Sequence, residues 1–252
     1  PEDSLLRYYK SRFHEDKTWG GKESARYNPV EHTHAHFAAM ISRLDIYVGE
    51  VLAMLKEKGL DENTLVIFAS DNGPHEEGGA DPEFFGRDGK LRGIKRSCHE
   101  GGIRIPFIAR WPEHVPANTV NDHQLAFYDL LPTFCDIAGI SGYPERFLNP
   151  ADPDDCFDGI SFATTLLGKP GQRLHEHLYW EFAQTDYMAV RKDDWKLVVK
   201  EGVPHLYDLA ADIHEDNDLS ASHPEILSSL IDIIYQEHRP SPLFKVTLPK
   251  RQ

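Results

Sequence analysis

Residues 32–73 read HTHAHFAAMISRLDIYVGEVLAMLKEKGLDENTLVIFASDNG. Phe37, Met40, Ile41, Leu44, Val48, Val51, Leu52 and Leu55 recur at steps of three and four. That spacing predicts one continuous apolar helical face over roughly 32–58. Gly59 stands where a left-handed C-cap belongs, and Lys56 and Lys58 complement the helix dipole in the last turn. Asp61-Glu62-Asn63 makes a turn. The run Thr64–Ser70 is apolar without alternation, the pattern of a strand buried on both faces. A long helix, a tight turn and a buried strand predict an α/β layered domain.

Working outward, residues 71–103 are punctuated by eight glycines: Gly73, Gly78, Gly79, Gly86, Gly89, Gly93, Gly101 and Gly102. An irregular stretch of that length inside a compact domain is usually functional or disordered. Ile103–Trp111 reads as a second core strand, ended by Pro112 and Pro116. Residues 123–138 read as helical with Gly139 as the stop, and Pro132 places the true start near Asp129, so that the proline falls in the first turn. In the loop 141–160, Asp152, Asp154, Asp155 and Asp158 make an acidic cluster whose spacing does not match a helix–loop–helix calcium motif. It reads as a solvated loop. Upstream, residues 1–30 read as a surface excursion with a short helix over 3–13.

The tail changes character. His177–Phe182, Tyr187–Val190, Trp195–Val199 and His205–Tyr207 are short strand-like runs, and 223–238 is a helix with Ile226, Leu230, Ile233 and Ile234 on its apolar face. The breaker cluster Gly168-Lys-Pro-Gly171 sets a boundary near 170. This predicts a main α/β domain over 1–170 and a small antiparallel sheet with one helix over 171–252.

The chain has 252 residues and a formal net charge of -14, with 27 Lys and Arg against 41 Asp and Glu. That balance argues against a general nucleic-acid binder, which needs a positive surface. No apolar run reaches membrane-spanning length. Pro1 is not a translation start, so the N-terminus reads as processed or truncated. Three cysteines, Cys98, Cys135 and Cys156, make no disulfide framework, although a Cys135–Cys156 bridge would close a short loop.

Several residues could carry chemistry. Asp71 and Asn72 follow directly on the strand 64–70, where open α/β sheets bind ligands. A carboxylate and an amide carbonyl are hard oxygen donors suited to Ca²⁺ or Mg²⁺; Asp-Asn-Gly is also an ordinary turn sequence. Arg87, Lys90, Arg92, Lys95, Arg96 and Arg104 cluster in an otherwise acidic chain, with His99 among them, and could focus an anionic substrate. His75 could hydrogen-bond a substrate oxygen or transfer a proton. Cys98-His99-Glu100 is not read as a nucleophile triad, because adjacent residues in a strand point apart. His32, His34 and His36 cannot converge on one metal once a helix starts, and they read as a solvated helix start.

LVIFASDNGP at 65–74 and LRGIKRSCHEGGIRIPFIARWP at 91–112, followed by DLLPT at 129–133 and DGIS at 158–161, together resemble the sulfatase family. So do LYWE at 178–181, AVR at 189–191 with DWKL at 194–197, LYDL at 206–209 and RPSPLF at 239–244. The resemblance covers nearly all of the chain after about residue 30. It implies part of an alkaline-phosphatase-like three-layer α/β/α sandwich followed by a small sheet-plus-helix subdomain. It implies hydrolysis of an aryl or carbohydrate sulfate monoester, with Asp71 and Asn72 as ligands of a catalytic Ca²⁺ and Lys95 on the substrate sulfate. His75, Arg92, His99, Arg104 and Trp180 are candidates for the leaving-group side. The family nucleophile is a formylglycine made in a Cys/Ser-x-Pro/Ala-x-Arg motif. No Cys-x-Pro-x-Arg or Ser-x-Pro-x-Arg occurs in these 252 residues, and the paired aspartates that complete the calcium site are also missing. The resemblance therefore implies an N-terminal remainder that supplies them, and an extracytoplasmic site of action. A phosphate or phosphonate ester hydrolase of the same superfamily, and a non-catalytic glycan-binding relative, remain open. Zinc phosphatases of that superfamily tend to carry Asp-His where this chain has Asp71-Asn72, and imidazole suits zinc while an amide oxygen suits calcium.

Overall fold

The computed structural model describes residues 3–14, 18–20, 28–86, 91–143, 148–149 and 157–251. Helix α1 (Ser4–Arg12) starts on Asp3, whose carboxylate accepts the Leu6 amide at 2.9 Å. It lies against α2 (Thr33–Glu57), where the Tyr9 hydroxyl meets Ser42 Oγ at 2.6 Å. Gly59, at φ 67°, closes α2, and the Leu60 amide donates to the Leu55 carbonyl at 2.9 Å. The 3₁₀ turn Asp61–Asn63 leads into β1 (Val66–Ala69). That strand pairs antiparallel with β2 (Phe107–Arg110), Val66 facing Arg110 and Ala69 facing Phe107. A bidentate Arg110–Asp61 pair at 2.7 and 2.8 Å ties β2 back to the turn.

Four expectations change here. The apolar face of α2 does not sit in a core: Met40 is 62% exposed, and Ile41, Leu44 and Val51 are exposed with it. Nor is β1 buried on both faces, since Phe68 and its partner Ile108 are both exposed. The elements formed as their patterns dictate, but no other element of the described residues covers these surfaces. The second strand is also shorter than predicted, Phe107–Arg110 against Ile103–Trp111: Ile103 ends a single helical turn, α3 (Glu100–Ile103), and Pro106, with no amide hydrogen to give a ladder, stands just before the strand. The start of α2 is not solvated either. Thr33, His34 and Ala35 are buried, with the His34 ring stacked on Phe84 at 3.7 Å and its Nε2 on Asp81 at 2.9 Å.

Helix α4 (Leu130–Ile137) begins after Asp129 as predicted. The Asp129 carboxylate is fully buried and accepts the Ala126 and Ile160 amides, both at 2.8 Å, and His175 Nε2 at 2.9 Å. Thr133 Oγ1 donates to the Asp129 carbonyl and accepts the Phe162 amide at the start of the short α5 (Ala163–Leu166). The DLLPT and DGIS segments are thus joined through one buried carboxylate. Of the acidic loop, Asp152, Asp154 and Asp155 lie outside the described residues, as does Cys156; Cys135 is a buried free thiol.

The tail forms a four-stranded antiparallel sheet in sequence order: β3 (Leu178–Phe182), β4 (Tyr187–Lys192), β5 (Trp195–Lys200) and β6 (Val203–Asp208). Side chains alternate between its faces. Met188, Val190, Leu197, Val199 and Leu206 pack against Leu227, Leu230, Ile231, Ile233 and Ile234 of α6 (Pro224–Glu237). Ala189, Val198 and Tyr207 face the other way and receive Cys98. Both faces are therefore covered, by a helix on one side and by the 91–104 loop on the other. Among the described residues no helix is long and apolar enough to cross a membrane.

Candidate active site

The turn after β1 and the loop before α3 are laced together through their backbones. The Gly73 amide donates to the Gly102 carbonyl at 2.9 Å, and the Lys95 amide donates to the Pro74 carbonyl at 2.8 Å. The approach is close: a Cβ on Gly73 would lie 1.8 Å from the Gly101 carbonyl oxygen. Gly101 is packed as tightly, with the Gly93 and Arg92 carbonyl oxygens 2.4 and 2.6 Å from where its Cβ would stand. Gly101→Ala must displace backbone, so a loss of about 1–3 kcal/mol is expected, readable as a lower Tm. An unchanged Tm would show that the loop gives way easily.

Asp71 is exposed at the end of β1, and its carboxylate has no hydrogen-bond or ion-pair partner among the described residues. Asn72 is oriented by two bonds. Its Nδ2 donates to the Gly73 carbonyl at 2.9 Å, and its own carbonyl accepts from Ser70 Oγ at 2.8 Å. Only the amide nitrogen can face a carbonyl, so Oδ1 is left for another ligand. Two hard oxygens side by side fit an oxygen-seeking cation, yet Ca²⁺ takes six to eight such ligands. Among the described residues no group of three or more His, Cys, Asp or Glu could hold a metal.

Next to the turn is a cavity of about 270 Å³ lined by Trp19, His75, Glu76, Glu77, Ile94, Lys95 and Arg96. Here the predicted cationic cluster narrows. Arg87 and Lys90 lie outside the described residues. Arg92 donates to the Glu215 carbonyl at 2.6 Å and to the Tyr207 hydroxyl at 3.2 Å. Arg96 pairs with Glu77 at 2.6 Å, and Arg104 reaches Glu100 at 3.3 Å. Lys95 alone of the described members has no such partner among the described residues. His75 Nδ1 beside it is buried and unpartnered among the described residues.

The other candidates gather elsewhere. His99 is buried, its Nδ1 3.2 Å from Glu215 Oε1, and Trp180 packs with Cys98 and Tyr207 against the sheet. With Arg92 and Arg104 they line the junction between the loop and the tail sheet, and none of the four lines the cavity. Burial pushes the Cys98 thiol up to about 12, which leaves it inert at neutral pH. At the same junction Glu100, read above only as a neighbour of Cys98 and His99, meets Lys196 and lies beside Glu215, two residues that the sequence reading missed. Lys196 is fully buried with its ammonium 2.7 Å from Glu100 and 3.1 Å from Glu215. A lysine inside the run Trp195–Val199 was the available signal, because a buried ammonium must be paired.

The family model described as Sulfatase matches residues 4–140, and that described as N-sulphoglucosamine sulphohydrolase, C-terminal, matches residues 94–237. Each spans more than half of the chain. This chain belongs to the sulfatase family. An N-acetylgalactosamine-6-O-sulfatase of Bacteroides thetaiotaomicron is 30% identical over 217 residues, covering 77% of this chain and 40% of that protein. Human arylsulfatase A is 33% identical over 205 residues, covering 77% of this chain and 36% of its own. The solved structure of Ps i-CgsB in complex with k-i-k-neocarrahexaose superposes with a TM-score of 0.67 at 26% identity, covering 84% of this chain and 44% of the other. The sulfatase chain described here thus spans about 40% of the length of the first curated relative. Its α/β architecture is that of the alkaline-phosphatase-like fold shared by its structural relatives.

Proposed function

We propose that the complete protein hydrolyses a sulfate monoester, aryl or carbohydrate, and that this chain supplies its Lys95 and part of a calcium site. The observation that carries the reading is the lacing of the Asp71–Asn72 turn to the Lys95 loop in a chain of the sulfatase family. It brings two hard oxygen donors, Asp71 and Asn72, and an ammonium unpaired among the described residues onto adjoining backbone, which supports the reading. Asp71 and Asn72 Oδ1 would hold Ca²⁺, which offsets charge on the sulfuryl oxygens when bound. Lys95 holds a sulfate oxygen and stabilises the charge that builds on it. His75 stands where it can hydrogen-bond the ester oxygen or pass it a proton. The nucleophile, a formylglycine, and the remaining calcium ligands belong to an N-terminal remainder. That remainder also covers the exposed apolar residues of α2 with Phe68 and Ile108. Sulfated glycans are found outside the cytosol, so the protein acts there.

The test is release of sulfate from an aryl sulfate by the full-length protein with calcium present, then after chelation. Activity should vanish on chelation and return with Ca²⁺. Lys95→Ala should lower kcat/KM by about 10²–10³. Faster cleavage of the matching aryl phosphate would overturn the sulfatase reading in favour of a phosphatase.

A further inference from the structure

The tail grips the loop that carries Lys95 at four points, from Lys196 on β5, from Thr185 in the turn after β3 and from Glu215 beyond β6. Arg92 Nη1 donates to the Glu215 carbonyl at 2.6 Å, and the Glu100 amide donates to Glu215 Oε2 at 2.8 Å. Lys196 Nζ donates to Glu100 Oε1 at 2.7 Å, and Thr185 Oγ1 donates to the Arg96 carbonyl at 2.6 Å. Two of these contacts flank Lys95 in sequence, at Arg92 and Arg96. Two of the gripping residues hold an unfavourable backbone: Arg96 at φ 75° and Glu215 at φ 56°. Non-glycine residues keep such angles only where their surroundings over-determine them. Glu215 does most of the gripping. One carboxylate oxygen takes the Glu100 amide, the other lies 3.1 Å from Lys196 and 3.2 Å from His99 Nδ1, and its carbonyl takes Arg92. Its side chain is fully buried, so it reaches no ligand itself.

We propose that Glu215, from the tail subdomain, is a positioning residue for Lys95, fixing through Arg92 and Glu100 the loop that presents the ammonium to the sulfate. This rests on the reading of Lys95 as the sulfate contact. A positioning role predicts coupling, whereas a general structural staple predicts a loss that ignores Lys95.

The experiment is a double-mutant cycle in the full-length protein, reading kcat/KM for an aryl sulfate. Glu215→Gln keeps an acceptor for the Glu100 amide but removes the charge that holds Lys196 and His99. It should lower kcat/KM about 10- to 100-fold, the scale of a small misplacement of a catalytic group. In a Lys95→Met background the same change should have almost no further effect. Thr185→Val, which loosens the same loop from the Arg96 side, should show the same coupling at smaller size, and it carries the test if Glu215→Gln does not fold. Equal losses in both backgrounds, or unchanged activity in a folded Glu215→Gln protein, would overturn the proposal and leave the Lys95 reading standing. Full activity in Lys95→Met alone would remove that reading, and the proposal with it.

Discussion

Asp71→Ala in the full-length protein should lower kcat/KM by at least about 10²–10³ and weaken calcium binding with it. The scale follows from two benchmarks. Loss of an outer-shell partner of a metal ligand already costs about 10–100-fold, and loss of one preorganised electrostatic group about 10²–10³. Asp71 would be a ligand itself, with a carboxylate that no neighbour among the described residues takes up. Asn72→Leu should follow it, because the side-chain amide is already oriented by its bond to the Gly73 carbonyl and Oδ1 is left to act. Asn72→Asp keeps an oxygen in place and should retain calcium. The measurement is calcium titration by calorimetry beside steady-state kinetics. Wild-type calcium affinity in Asp71→Ala would sink the assignment, because nothing else is asked of that carboxylate. Asp71→Ala should not move Tm much in the calcium-free protein, since Asp71 is exposed and makes no hydrogen bond or ion pair among the described residues.

The sequence was a good guide wherever local physics decides the outcome. The three-and-four spacing of α2, its glycine stop and the start of α4 at Asp129 all appear as read. The same holds for the four tail strands and α6. What could not be read was which surfaces find a partner. An apolar run without alternation means two covered faces only if two layers are present. The rule holds for β5, where α6 and the 91–104 loop supply them, and it fails for β1, where the exposed Phe68 shows that one is missing. The cationic cluster shows the same limit. Arg92, Lys95, Arg96 and Arg104 look alike in sequence, but three of them meet protein acceptors and one does not. Those acceptors, Glu215, Glu77 and Glu100, lie from 4 to 123 residues away along the chain. The Arg104–Glu100 pair is an ordinary i,i+4 spacing, but no spacing rule reaches the 19 and 123 residues that separate Arg96 from Glu77 and Arg92 from Glu215, which is also why Lys196 passed as one more residue of a strand.

Lys196→Met should destabilise the full-length protein by about 3–5 kcal/mol, the cost of leaving buried charge without its counter-charge. With Lys196 gone, the Glu100 and Glu215 carboxylates, 3% and 0% exposed, keep only His99, the distant Arg191 at 3.8 Å and the solvent-exposed Arg104. A methionine fills the space of the stem but offers no charge, so Tm should fall by about 10 °C. Adding Glu100→Gln and Glu215→Gln to Lys196→Met should recover much of that loss, because the penalty lies in the orphaned carboxylates and not in the missing ammonium. The pH dependence carries a sign of its own. Burial alone would raise the Glu215 carboxyl, but the adjacent His99 imidazole, the Lys196 charge and the Glu100 amide outweigh it and hold the group below its ordinary 4.5. A carboxyl depressed in the folded state stabilises the fold above its unfolded value and loses that contribution as pH falls through its folded value. The wild-type advantage over Lys196→Met should therefore be largest at neutral pH and shrink as pH falls, first as the orphaned Glu215 of the variant takes up its proton and finally as wild-type Glu215 does so below its ordinary 4.5. Thermal denaturation of the two proteins across pH 3–7 reads this directly. A Tm gap that stays constant through that range would mean that the lysine acts by packing, and that the charge contact at the junction contributes nothing.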